Sequence, residues 1–240
     1  MFTLEEINDE ISKLNKYLKY NVPQITSFEY IDTNEFYGQV RKEEIANNDY
    51  VIHFSNCLDD CVQQYQKSVI WHEATHIHDI LEIKNKYPDK DISSIIASYS
   101  EAYATEIQLR YLLKLNSSEI IDQKKRYLPY KTNNKDVLGN VTANYINQSV
   151  QHIKNFNVTR NPKDFKSFIN NYCYFCGYMR LKKKSDANKL VDYVHKLFPY
   201  KYQKQLLELY EDIYTNNYLG CGLTYTQMLS DAVVYSINIK

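Results

Sequence analysis

The stretch Trp71-His72-Glu73-Ala74-Thr75-His76 contains an H-E-x-x-H motif from His72 to His76. Each residue of an α-helix turns the chain by about 100°, so His72 and His76 lie one turn apart on one face. Glu73 then lies beside the same opening. Two imidazoles at this spacing can bind one tetrahedral Zn²⁺, while the adjacent carboxylate reaches the water on the metal. The stretch therefore predicts a helix with His72 and His76 as zinc ligands and Glu73 as general base.

The residues around the motif predict a helix with a buried back. Apolar side chains recur at i, i+4, i+7 and i+11, which places them in one line facing a core; they are Ile70, Ala74, Ile77 and Leu81. The two histidines lie on the opposite side, together with Val69 and Asp79, where they can face a cleft. A rival hypothesis remains open: two surface histidines on an amphipathic helix, without a metal.

Elements before and after the motif predict an α+β fold. A helix at 4–20 begins with a capping box of Thr3 and Glu6. Strands follow at 24–31, 36–40 and 50–54, the only β-rich part that the pattern predicts. The motif helix takes 59–86 and a second long helix takes 92–115. Further helices are predicted at 117–127, 135–155, 163–181, 186–197, 200–215 and 224–237.

The predicted organisation is a sheet-plus-helices portion followed by a mostly helical one. A soft boundary near 129–134 divides the chain into 1–130 and 131–240. The helical region at 131–240 is either a second domain or part of the first.

The composition gives no support for a nucleic acid or membrane partner. The 240 residues carry 29 Lys and Arg against 29 Asp and Glu, so net charge gives no reason to expect a nucleic acid or membrane partner. An odd count of five cysteines and an acidic N-terminus predict a cytoplasmic protein with reduced thiols. Buried free thiols are favoured over a structural zinc site built from Cys57, Cys61, Cys173 and Cys176. The oligomeric state stays open.

A catalytic zinc site needs a third protein ligand. Glu101 is on the next helix, 25 residues beyond His76. Glu106 interrupts the apolar stripe of that helix, so it needs a partner if it is buried. Glu82 lies on the motif helix itself. Asp79 is either an acceptor for a ligand histidine or a solvated carboxylate.

These motifs resemble those of the zincin metallopeptidases, in particular the gluzincin group. In that group the third ligand is a Glu on the following helix, commonly in E-x-x-A, and Glu101-Ala102-Tyr103-Ala104 matches this pattern. The layout of sheet, H-E-x-x-H helix and Glu helix is also similar to that of the ImmA-type metallopeptidases of mobile elements. The resemblance covers about residues 20–115. Thr105 departs from it, because such families usually carry Asn or Asp there.

The resemblance implies a zincin-like domain at 1–130 in which His72, His76 and Glu101 bind one Zn²⁺. The expected activity is hydrolysis of a peptide bond in a protein or peptide substrate, with Glu73 as general base. It also implies that an edge strand receives the substrate backbone. The alternative is a catalytically silent zinc-binding or helical interaction module of a mobile element.

Overall fold

The computed structural model describes residues 2–121, 127–131 and 134–237. They fall into two units. The first unit takes residues 2–90, 104–119, 127–131 and 134–138, and the second takes 91–103, 120–121 and 139–237. All strands of the described residues belong to the first unit, together with long helices. The α+β class is therefore confirmed.

Helix α1 (Leu4–Leu18) opens the first unit. The predicted capping box is confirmed: the Glu6 amide donates to the Thr3 hydroxyl at 3.2 Å, and the Thr3 amide donates to the Glu6 carboxylate at 2.8 Å. The apolar face of the helix is buried through Ile7, Ile11 and Leu14. The helix ends at Lys19, which adopts the left-handed conformation.

A three-stranded sheet follows, made of β1 (Ser27–Ile31), β2 (Gly38–Gln39) and β3 (Val51–Ser55). Strand β3 lies in the centre, parallel to β1 and antiparallel to β2, so β2 is an edge strand. All five residues of β3 are buried. The three predicted strands are confirmed with shifted ends, and a short helix α2 (Lys42–Ala46) that was not predicted lies between β2 and β3.

Helix α3 (Gln63–Lys86) carries the H-E-x-x-H motif. It starts later than predicted because residues Asn56–Asp60 form a separate 3₁₀ turn. The predicted apolar back is fully buried at Ile70, Ala74 and Ile77, whereas Leu81 is half-buried. The opposite side is buried as well, at Val69, His76 and Asp79, so the middle of α3 is a core helix.

The second long helix contains an irregular turn that the sequence did not indicate. Residues Ser93–Ile95 (α4) and Glu101–Leu113 (α5) are α-helical, and Ile96–Ser100 between them form a π-helical segment. A π-turn holds one more residue per hydrogen-bonded turn than an α-turn, and such segments are frequent at functional sites. The division between the two units falls within α5, after Tyr103.

The predicted helix at 117–127 is wrong. Residues 114–121 are not helical, residues 122–126 lie outside the described part, and Tyr127–Lys131 (β4) pairs antiparallel with Asn134–Val137 (β5). Locally, the Ser118 amide donates to the Asn116 side chain at 3.1 Å, and such a side-chain turn competes with a helix. Strand structure is therefore not confined to the stretch before the motif.

The second unit ends in five helices: α6 (Leu138–Thr159), α7 (Pro162–Met179), α8 (Lys184–His195), α9 (Tyr200–Tyr214) and α10 (Tyr218–Ile237). Five predicted helices correspond to them, although α10 begins six residues early and residues 134–137 before α6 form a strand. Cys173, Cys176 and Cys221 are fully buried free thiols. Across residues 2–121, 127–131 and 134–237, every helix is too short or too polar to cross a membrane.

Glu10 on α1 is 2% exposed and connects α1 to α3. Its carboxylate accepts hydrogen bonds from Lys13 at 2.8 Å and Trp71 at 3.3 Å, and lies 3.2 Å from the Lys67 ammonium. Burial raises the pKa of Glu10, but the bonds from both lysines outweigh it, so the pKa lies below the usual 4.5. The charged form therefore stabilises the fold above pH 4.5, and this contribution is lost as the pH falls through the lowered pKa.

Glu10→Gln should lower the free energy of unfolding at pH 7 by about 1–3 kcal/mol, because charged hydrogen bonds are lost. Urea unfolding of both chains from pH 7 to pH 3 checks this. The difference between them should shrink below pH 4.5. A difference that stays constant over the whole range contradicts the role of the charge.

Candidate metal centre

The two motif histidines point at each other. The Nε2 atoms of His72 and His76 are 3.1 Å apart, and their ring planes are inclined by 75°. His76 is 6% exposed and His72 is half-buried. Two nitrogens bound to one tetrahedral Zn²⁺, each about 2.0–2.1 Å from it, lie about 3.3 Å apart. The spacing of the two rings therefore fits a single ion.

Glu101 joins the two histidines. One ligand atom from each of His72, His76 and Glu101 lies within 4.8 Å of the other two. No other group of three His, Cys, Asp or Glu side chains in the described part of the chain comes together in this way. Glu101 begins α5 directly after the π-helical segment.

Glu106, the second candidate for the third ligand, has a different partner. Its Oε1 atom accepts hydrogen bonds from Nε of Arg110 at 2.9 Å and lies 2.8 Å from Nη2. Both side chains are 7% exposed. The same guanidinium donates to the carbonyls of Asn116 and Glu119 at 2.9 Å each. The expectation that a buried Glu106 needs a partner is confirmed, and its charge is balanced without a metal.

Glu82 lies outside the group as well. Its carboxylate is 2.9 Å from Nε2 of His78, and the His78 ring stacks on Tyr20 with 3.5 Å between ring centroids. Burial lowers the pKa of His78, against the opposing effect of Glu82. His78 is half-buried against Tyr20.

Asp79 is 3% exposed, so the hypothesis of a solvated carboxylate is wrong. It lies three residues after His76 on the same side of α3. A buried carboxylate needs hydrogen bonds or a charged partner. Its role as an acceptor for a ligand histidine stays a prediction. Thr105, which departs from the zincin pattern, is also buried, at 2% exposure.

The general-base candidate Glu73 is 4% exposed and lies against the edge strand β2. A Cβ atom built on Gly38 of this strand would lie 2.8 Å from both Cγ and Oε1 of Glu73, and 2.7 Å from Cγ1 of Val69. Carbon atoms in good contact are about 3.5–4.0 Å apart, so these distances leave no space for a side chain at position 38. Sequence reasoning missed Gly38, although a glycine inside a strand signals a close approach.

His195 and His152 have structural partners in the second unit. The ring of His195 lies 2.6 Å from the hydroxyl of Tyr172, and both are buried. His152 lies 3.7 Å from Asp164.

The arrangement provides two imidazole nitrogens and one carboxylate oxygen as ligand atoms, with a second carboxylate next to them on α3. Zn²⁺ accepts such mixed nitrogen and oxygen donors, and a set of three leaves the fourth position open. Comparison with protein-family models, characterised proteins and solved structures finds no match to this chain.

Proposed function

We propose that this chain is a zinc-dependent metallopeptidase with His72, His76 and Glu101 as ligands. The observation that carries the proposal is the approach of His72 and His76, whose Nε2 atoms are 3.1 Å apart, next to a buried carboxylate, Glu73. Glu101 supplies the third ligand atom within 4.8 Å. The resemblance of the motifs to those of gluzincins supports the same ligand set.

His72, His76 and Glu101 would hold Zn²⁺, which when bound would lower the pKa of a water molecule and polarise the carbonyl of the scissile bond. Glu73 follows His72 directly in the sequence, so helix geometry keeps its carboxylate beside the ligands without placing it among them. The carboxylate of Glu73 takes a proton from the attacking water and passes it to the nitrogen of the leaving amine. The burial of Glu73 shields this exchange from bulk water.

The edge position of strand β2 in the sheet is an argument for a peptide substrate. Strand β2 lies at the edge of the sheet, antiparallel to β3. An edge strand can receive an extended peptide through backbone hydrogen bonds. Because Gly38 approaches Glu73 closely, a peptide bound along β2 would pass beside the general base. The zincin resemblance implies the same mode of binding.

The ligand assignment is tested by a matched pair of variants, Glu101→Gln and Glu106→Gln. Glu101→Gln should weaken zinc binding by more than about 100-fold, since even residues that only orient a ligand contribute 10–100-fold. Glu106→Gln should keep zinc affinity within about threefold but destabilise the fold by about 3 kcal/mol, because Arg110 loses its buried counter-charge. Chelator competition and urea unfolding measure the two effects.

The reverse pattern, with zinc lost in Glu106→Gln and kept in Glu101→Gln, would contradict the assignment. Glu82→Gln serves as a second control, because Glu82 pairs with His78 and should affect neither quantity strongly.

The catalytic role is tested with Glu73→Gln, which keeps the shape of the side chain but removes its basicity. The variant should bind one zinc per chain, as the wild type does, and should lose peptide hydrolysis by a factor of about 10²–10⁴. Metal analysis gives the first quantity. Cleavage of casein and of a synthetic peptide library, followed by mass spectrometry, gives the second.

Equal rates of peptide cleavage by the wild type and Glu73→Gln would contradict the assignment of Glu73 as general base. A wild-type chain that binds one zinc but cleaves no peptide would favour the alternative, a zinc-binding module without turnover.

A further inference from the structure

We propose that Gly38 is a positioning residue for Glu73: the absence of a side chain at position 38 lets the backbone of β2 hold the Glu73 carboxylate in place. This inference rests on the proposed function only in assigning the general base to Glu73. The contact itself is a feature of the first unit.

Pairing with the central strand β3 fixes the position of strand β2. Gly38 pairs with Phe54 of the central strand, and the Ser55 amide donates to the Tyr37 carbonyl at 3.0 Å. Phe54 is fully buried and packs against the rings of Phe2, Phe28 and Tyr30. The backbone at Gly38 therefore cannot withdraw from α3 without breaking the pairing with β3.

The helix side chains that face Gly38 are also fixed in position. Val69 and Glu73 lie one turn apart on α3, at 3% and 4% exposure. The helix residues between and beside them, Ile70 and Ala74, are fully buried. A methyl group at position 38 would lie 2.7 Å from Val69 and 2.8 Å from Glu73, so one of these side chains or the strand must move. In a well-packed interior such overpacking distorts rotamers and backbone.

Backbone conformation gives no separate reason for glycine at this position. Gly38 does not adopt a positive φ, so an alanine fits its backbone without strain. Space is therefore the property that glycine supplies. This distinction makes alanine a clean probe, because it adds one methyl group and leaves the conformational requirement unchanged.

The experiment combines Gly38→Ala with Glu73→Ala and with Val69→Ala in the full chain. Without metal, Gly38→Ala should lower the melting temperature by about 2–10 °C, as expected for an overpacked methyl group. This loss should be clearly smaller when Glu73→Ala is already present, because the Cγ and Oε1 atoms that the methyl group meets are gone. A loss that is unchanged by Glu73→Ala and disappears with Val69→Ala would overturn the proposal, since Gly38 would then only make room for Val69.

The catalytic readout uses the same chains loaded with zinc. Gly38→Ala should keep one zinc per chain and change KM less than threefold, while kcat falls by about 10–100-fold, since a displacement near 1 Å costs about that much. Val69→Ala in the Gly38→Ala background should restore part of kcat by giving the methyl group room. An unchanged kcat in Gly38→Ala would overturn the positioning role.

Gly220→Ala is the matched control. A Cβ on Gly220 would also meet nearby side chains, those of Asn217 and Asp212 in the second unit, so it tests the general effect of a crowded alanine. It should leave kcat unchanged, and an equal loss of kcat there would overturn the specific role of Gly38. If the wild type cleaves no peptide at all, the proposed function fails, and the melting temperatures still decide whether Gly38 and Glu73 are in contact.

Discussion

Helix α3 is buried on almost every side through its middle, and this burial constrains every polar side chain that it carries there. Buried polar groups are costly unless they are hydrogen-bonded or charge-balanced. The hydroxyls of Ser68 and Thr75 meet this requirement within the helix, by donating to the carbonyls of Tyr65 and Trp71 at 2.6 and 2.8 Å. His76 and Glu73 are buried on the same stretch of the helix. Under the proposed function, a divalent cation held by the two motif histidines would lie beside the Glu73 carboxylate.

The carboxylates of Glu10 on α1 and of Glu106 and Glu101 on α5 have different partners. The difference distinguishes carboxylates that stabilise the fold from a candidate metal ligand. Glu10 accepts bonds from Lys13 and Trp71, and Glu106 accepts from Arg110. Each of these contacts places a cation or an N–H donor on the carboxylate. Glu101 offers a ligand atom within 4.8 Å of those of His72 and His76. Glu106 is the weaker candidate for a metal ligand, because a carboxylate held by a guanidinium has less negative charge to offer a metal.

The approach of strand β2 to α3 links the sheet to the proposed chemistry. The edge strand of a sheet provides free backbone groups for an incoming peptide. Here this strand comes so near to α3 that a Cβ atom at position 38 would lie within 2.8 Å of two helix side chains, those of Val69 and Glu73. The same short distance thus serves two purposes under the proposed function. It brings the substrate backbone near the base, and it limits the positions that the base can adopt.

The sequence alone determined those features that depend on neighbours within one or two helix turns. The capping box of Thr3 and Glu6, the shared face of His72 and His76, and the buried back of α3 all follow from the 3.6-residue period, which is a local property of the chain. The three strands before the motif followed from the same kind of local pattern. The helix predicted at 117–127 failed because side-chain turns at Asn116 and strand pairing further on compete with helix formation. Only the tertiary structure decided that Glu106 binds Arg110, that Asp79 is buried, and that a side chain at position 38 would collide with Val69 and Glu73. These outcomes depend on which faces of separate elements meet, and spacing within one element carries no information about that.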